Sequence, residues 1–471
     1  MSERLTWVKD RLPSRQNLVK FCVLICLLNI VLVSVLAGTG VLRTAERGDI
    51  TYTTIEETPD GTFEIPADSP DQFAIERPTD ADAYYNMVVR YRNGGPMFNP
   101  WGAADAIQKF HYFPLFYFVF LPLFFLGYVG FKFAWLALTV LSMISGTYLL
   151  LRTELQRYDS EPSTRLLLGI SVISAGFQPM ITNFKVGQMT PIIYACLAAF
   201  WWAYRTDRIS LAGAMLVAPT LIKPYFLAPF VLLWKRSHWR GVLGFLAAFV
   251  VANVLVVLTL GPEVFSRYYE ILVPFLTGER RALTNFAEVS GFASWGATKF
   301  RVFFWFGDLA PLFNLLFAMA LSWFSLVYIF NEESYGTELF AFSVVSLMFM
   351  VEGTISAADL AALLAVFIVL GVRFYHESHL AFGALSLSFF LFQTHSYFIE
   401  ATLGQGPKAG YIPLFAQNEQ LVSTIAPILQ PGIYGIFILY GLCLYAFTRP
   451  TGSLPVPQLG RWREVLSRAE Q

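Results

Sequence analysis

The residues of this chain whose types and spacing suit chemistry are few. Asp80 and Asp82 open the run Thr79-Asp80-Ala81-Asp82-Ala83-Tyr84-Tyr85. A carboxylate within hydrogen-bond reach of a hydroxyl can take its proton as a general base; acids at a helix start also favour the helix through its dipole, with no chemical role. Lys223 interrupts the apolar run Pro219-Thr-Leu-Ile-Lys-Pro-Tyr-Phe, where inserting a charge costs about 2.5–3.5 kcal/mol. Such a lysine either faces a polar cavity and an anion or snorkels along its own stem to the interface. Gly187-Gln188 sets a flexible residue and a two-donor amide next to Lys185, between two apolar runs. It reads equally as a polar turn. His111 stands at the entry of a Pro114 segment, where a histidine is commonly an interfacial residue. Arg280-Arg281, Asn285 and Ser290 precede the aromatic run Phe303-Phe304-Trp305-Phe306, and Glu352 and Asp359 flank Gly353-Thr354-Ile355-Ser356, in a capping or a cavity-lining role. The zincin, Walker, nucleophile-elbow and dinucleotide motifs are missing, and Cys22, Cys26, Cys196 and Cys443 all lie in apolar runs, so neither a metal site nor a disulfide framework is expected.

The elements that must position these groups are membrane elements. Of 471 residues, 56% are apolar and 14% charged, which excludes a water-soluble fold. Lys plus Arg equals Asp plus Glu, with no basic tract, so no nucleic-acid partner is expected. Apolar runs near 18–41, 112–129, 131–151, 165–182, 189–204, 209–234, 242–260, 309–330, 338–355, 357–375, 380–399 and 430–447 predict an all-α polytopic bundle of about twelve crossings. The expected organisation is a cytoplasmic N-terminus (1–17), a first span (18–41), an external loop (42–111), a bundle (112–447) with a second external loop at 261–308, and a cytoplasmic tail (448–471). The loop from Leu42 to Lys109 carries twelve Asp or Glu against six Lys or Arg. Its end predicts an interfacial helix over 80–93, with Thr79 as N-cap, Gly94 as stop, and Tyr84, Val88 and Tyr91 on a face toward the membrane surface.

Arg4, Lys9, Arg11, Arg15 and Lys20 at one end, and Arg449, Arg461, Arg463 and Arg468 at the other, place both termini in the cytoplasm. Counting every run as one crossing then puts Arg152, Arg157, Arg165, Arg205 and Arg208 outside, against the charge rule. The conflict disappears if 112–129 only dips into the membrane and 209–234 folds back on itself at Lys223-Pro224.

In order and spacing, Asp80, Tyr84-Tyr85, Gly94-Gly95, Tyr112 with Pro114, Gly187-Gln188 and Lys223-Pro224 resemble the multispanning GT-C glycosyltransferases, and most of all glycosyltransferase family 87, over about residues 79–234. The family's second proline is Phe113 here, and its later histidine-bearing turn appears as Gly353 to Asp359 without the histidine. The resemblance implies a GT-C-type bundle with short interfacial helices, and an inverting transfer of a hexose, mannose by family, from a polyprenyl phosphate. The acceptor would be a lipid-linked or cell-envelope glycan, and the active site of this multi-pass cell-membrane protein would face outside. Asp80 is the implied base, with Asp82 in reserve. Lys223, or Lys185, Arg280 and Arg281, would meet the donor phosphate, and Tyr84, Tyr85, His111, Tyr112, Gln188 and Asp359 would line the substrate site. The lipid bilayer, the donor and the acceptor are the expected partners, with no cofactor and no divalent metal required. A secondary transporter or a lipid-linked glycan flippase is the competing reading; the acidic loop with its acid-aromatic helix has no evident task in a carrier, and no internal repeat is seen.

Overall fold

The computed structural model describes residues 13–46, 55–58, 61–64, 80–95, 97–98, 112–277, 310–331, 335–350, 359–403, 431–449 and 455–457. Among the described residues the chain is helical apart from one antiparallel hairpin, β1 (Ile55–Thr58) with β2 (Gly61–Glu64), inside the acidic stretch. The helices are α1 (Arg15–Glu46), α2 (Asp80–Arg92), α3 (Tyr117–Phe124), α4 (Gly127–Leu155), α5 (Thr164–Gly176), α6 (Gln178–Val186), α7 (Thr190–Arg205), α8 (Ile209–Ile222), α9 (Trp239–Leu260), α10 (Pro262–Thr277), α11 (Ala310–Phe330), α12 (Gly336–Met350), α13 (Leu363–Glu377), α14 (His379–Leu403) and α15 (Pro431–Thr448). Among the described residues, four helices are long and apolar enough to cross a membrane, or five with the bent pair α5–α6. Several runs are cut short by helix breaks and form shorter apolar helices, including α8 and the 3-10 segment Pro224–Trp234.

Two breaks shape the bundle. Between α5 and α6 the axis bends by 67° at Phe177. The backbone groups freed there are met inside the protein, as lipid requires. Gln393 on α14 accepts from the Gln178 amide at 2.9 Å, and Asn29 on α1 donates to Gln393 at 2.8 Å and to the Gly176 carbonyl at 3.4 Å. The second break is at Lys223, held extended at φ −142° and ψ 105° by the proline after it. Small residues weld the start of α8 to the start of α9: a Cβ on Gly213 would lie 1.8 Å from the Gly241 carbonyl oxygen, and one on Gly244 2.1 Å from that of Ser210. The two helices therefore begin at the same end of the bundle. The segment Pro224–Trp234 must run back to that end, as the fold-back at Lys223-Pro224 requires, and Lys223 occupies the far tip.

The remaining helices put the same parts at the same ends. Gly187, between α6 and α7, accepts from the Trp135 indole in the first turns of α4 at 2.8 Å. The last turn of α4 and the last turn of α7 meet at the other end, where Trp201 donates to Glu154 at 2.6 Å. Arg152, Arg157, Arg205, Arg208, Lys235 and Arg240 all belong to that second end.

Candidate functional site

At the tip end of the bundle Lys223 is ion-paired to Asp359, the first residue of a short 3-10 turn leading into α13. The lysine side chain is 13% exposed and the aspartate 2%. Asp359 also accepts from Thr190, at the start of α7, at 3.4 Å, and from the Tyr225 hydroxyl two residues beyond the lysine. Three side chains, Lys223 and Tyr225 from one segment and Thr190 from α7, thus converge on one carboxylate, with 136 residues between the ion-pair partners. Breaking a buried pair by removing one member strands the other charge at about 3–5 kcal/mol, a cost that the 13% exposure of Lys223 reduces for the lysine.

Helix α2 forms the wall above this pair. Asp80 is its first residue and is half-buried. Gly94, at φ +84°, follows its C-terminus as the sequence pattern predicts. Gly187 makes the join to α2. It adopts φ +75°, and a Cβ there would stand 2.6 Å from the Ala81 Cβ, so both its conformation and its lack of a side chain are needed. Tyr84 is buried in an aromatic box, stacked on Phe120 at 4.7 Å and edge-on to Trp135 at 5.4 Å and Tyr112 at 5.6 Å. Burial, reinforced by Tyr112, Asp80 and Asp359, pushes the Tyr84 phenol well above its ordinary range; burial, then Asp80 and Asp359, does the same to Tyr112. Both carboxylates therefore bear on the same two phenols, which stay protonated as donors. The roof is completed by α10, whose Tyr268 packs against Phe113 at 5.3 Å and Phe98 at 6.0 Å, and by Tyr91, which donates to the Leu260 carbonyl at 3.3 Å.

The structure thus brings together Asp80, Tyr84, Tyr112, Gly187-Gln188, Lys223 and Asp359. It turns the face of Tyr84 and Val88 inward rather than toward the membrane surface, because α3 and α4 cover it with aromatic rings. Tyr85 packs on Phe124, Tyr128 and Phe131 at 5.1–5.4 Å. The side chains of Asp82 and Lys185, and the residues His111, Arg280, Arg281, Asn285, Ser290, Phe303 to Phe306 and Glu352 to Ser356, lie outside what is described. Gln188 has a buried side-chain carbonyl with no partner among the described residues, a waiting acceptor beside the site. Trp135, Thr190 and Tyr225 were not expected as site residues. Tyr225 had a signal in its position two residues after an intramembrane lysine; Trp135 and Thr190, inside or beside apolar runs, had none.

A helical bundle rich in apolar helices, with a buried lysine–aspartate pair at one end, defines an integral membrane protein. The sequence model of Glycosyltransferase family 87 matches residues 110–394, more than half of the chain. The protein belongs to that family and is a glycosyltransferase. No curated protein matches the chain. The matched region holds Tyr112, Gly187-Gln188, Lys223 and Asp359 and begins after Asp80.

Proposed function

We propose that the protein moves a hexose, mannose by family resemblance, from a polyprenyl phosphate to a hydroxyl of a lipid-linked or envelope glycan on the non-cytoplasmic face, with inversion. The contrast between the two carboxylates carries this reading. Asp359 is nearly sealed, and its acceptor positions are engaged by Lys223, Thr190 and Tyr225. Asp80 is half-buried at a helix start beside the same phenols. Asp80 is the more exposed of the two and stands where the family resemblance puts the base, so Asp80 takes the proton, with Asp82 next in line. As the acceptor oxygen bonds to the anomeric carbon, the bond from that carbon to the phosphate oxygen breaks, and the polyprenyl phosphate departs with the electron pair. Lys223 meets the charge growing on that phosphate; Lys185, Arg280 and Arg281 are further sources of positive charge. Tyr84, Tyr112 and Gln188 would hold sugar or acceptor hydroxyls. A phosphate leaving group needs no general acid, and with lysine at hand the scheme asks for no divalent metal.

The arginines and lysines at the end opposite the site support a cytoplasmic placement for that end, which leaves the site outside. The test is sugar transfer by the purified protein from polyprenyl-phosphate mannose to a crude lipid acceptor extract, for the wild type and for Asp80→Asn. Loss of transfer of about 10²–10⁴-fold in a variant that melts normally supports the base assignment. Retained transfer moves the base elsewhere, and no transfer by the wild type from any polyprenyl-phosphate sugar removes the donor class.

A further inference from the structure

We infer that Asp359 is a resident competitor for Lys223, a fixed counter-anion that weakens the hold on the phosphate product and so sets how fast it leaves. The inference rests on the donor reading above. A sugar attached to a lipid phosphate is a diester with one negative charge. The lipid phosphate left after transfer is a monoester that carries closer to two near neutral pH. A solitary lysine in a recess partly shut off from water would therefore hold the product more tightly than the donor, and a site that grips its product turns over slowly. The geometry contains the remedy. The Asp359 carboxylate is in direct ion-pair contact with the ammonium. Thr190 and Tyr225, from two other elements, hold that carboxylate in place. The backbone of Lys223 is set by Pro224 and by the welded base of its hairpin, while its side chain is 13% exposed. The lysine can share itself between Asp359 and an arriving phosphate without either anion displacing the other. Asp359 is thus a positioning residue acting through Lys223, not one that touches sugar.

The test is binding of farnesyl phosphate, with farnesol as the uncharged control, to the purified full-length protein in nanodiscs, measured by calorimetry alongside steady-state transfer. Asp359→Asn should bind farnesyl phosphate about tenfold more tightly, leave farnesol binding unchanged, and show a first turnover followed by a slower, product-inhibited phase. Lys223→Met should lose the preference for the phosphate over the alcohol. If Lys223→Met loses it while Asp359→Asn binds the phosphate no more tightly than the wild type, the counter-anion role is overturned and the phosphate site survives. If Lys223→Met binds the phosphate like the wild type, the phosphate assignment itself falls and takes this inference with it. Should Asp359→Asn fail to fold, Tyr225→Phe provides the opposite sign. Relieved of a neutral donor, Asp359 bears harder on Lys223, and farnesyl phosphate binds about twofold to threefold more weakly; equal or tighter binding overturns the role.

Discussion

The two ends of the bundle bury charge in different ways. At the end opposite the site, Arg373 pairs with Glu338 and, at 3.2 Å, with Glu377; Glu377 in turn pairs with Arg449 at 2.7 Å and accepts from Tyr158 at 3.1 Å. Nearby, the Tyr204 and Tyr328 hydroxyls meet at 2.5 Å, and Tyr328 reaches His238 at 3.2 Å. Arg373 is 5% exposed and Glu338 4%, with helices on every side. At the site end Lys223 pairs with Asp359, the lysine is 13% exposed, and the rings beside the pair include the phenols of Tyr84 and Tyr112, which can still donate. Charges that hold helices together are enclosed by partners from several elements. Under the proposed function, the charges that serve the reaction are those with an approach left clear.

The sharpest way to break this division is to strike each end. Asp80→Asn should cost about 10²–10⁴-fold in transfer with little change in melting. Arg373→Met strands Glu338 and should lower stability by about 3–5 kcal/mol, while transfer per folded molecule stays near the wild-type value. Early melting of the first variant, or a changed turnover in the second, would merge the two ends into one functional unit. Gly187→Ala tests the join between them and the roof. Forcing a side chain into the left-handed region costs about 1–2 kcal/mol, and the clash with Ala81 must push α2 aside, so transfer should fall along with the melting temperature. A fall in the melting temperature alone would reduce Gly187 to a turn residue. The smallest effect is expected at Tyr328→Phe, which removes the hydroxyl between Tyr204 and His238: about 1 kcal/mol of stability, read in a melt, with transfer untouched.

Much of this layout was legible from local pattern. A lysine followed by proline in an apolar run announces a helix break, and Gly94 after an amphipathic stretch announces a stop; both hold in the structure. The membrane character followed from composition, and the family from the order of short motifs. What local pattern does not carry is pairing across the chain. Asp359 read as a cap or a cavity-lining acid because nothing near it names Lys223. Glu338 and Arg373 sit near the ends of apolar runs, where unpaired charges are commonplace, yet they form a buried bridge between α12 and α13. The inward turn of Tyr84 was also hidden, since an aromatic face suits a membrane surface and an aromatic box equally well. Only the rings of Phe120 and Trp135, brought in from α3 and α4, decide between them.

The shortness of α8 has a further consequence. Its 14 residues rise about 21 Å at 1.5 Å per residue, against a hydrocarbon layer about 30 Å thick. If α8 starts at one surface, Lys223 at its tip stops short of the other, and under the proposed function the donor phosphate would be drawn down from the headgroup level to meet it. The depth of that descent is set by the surrounding lipids as much as by the protein. A thicker bilayer would leave Lys223 deeper and a thinner one would bring it nearer the aqueous edge, so on the proposed donor acyl-chain length would control how far the lipid-borne sugar sinks before it reacts.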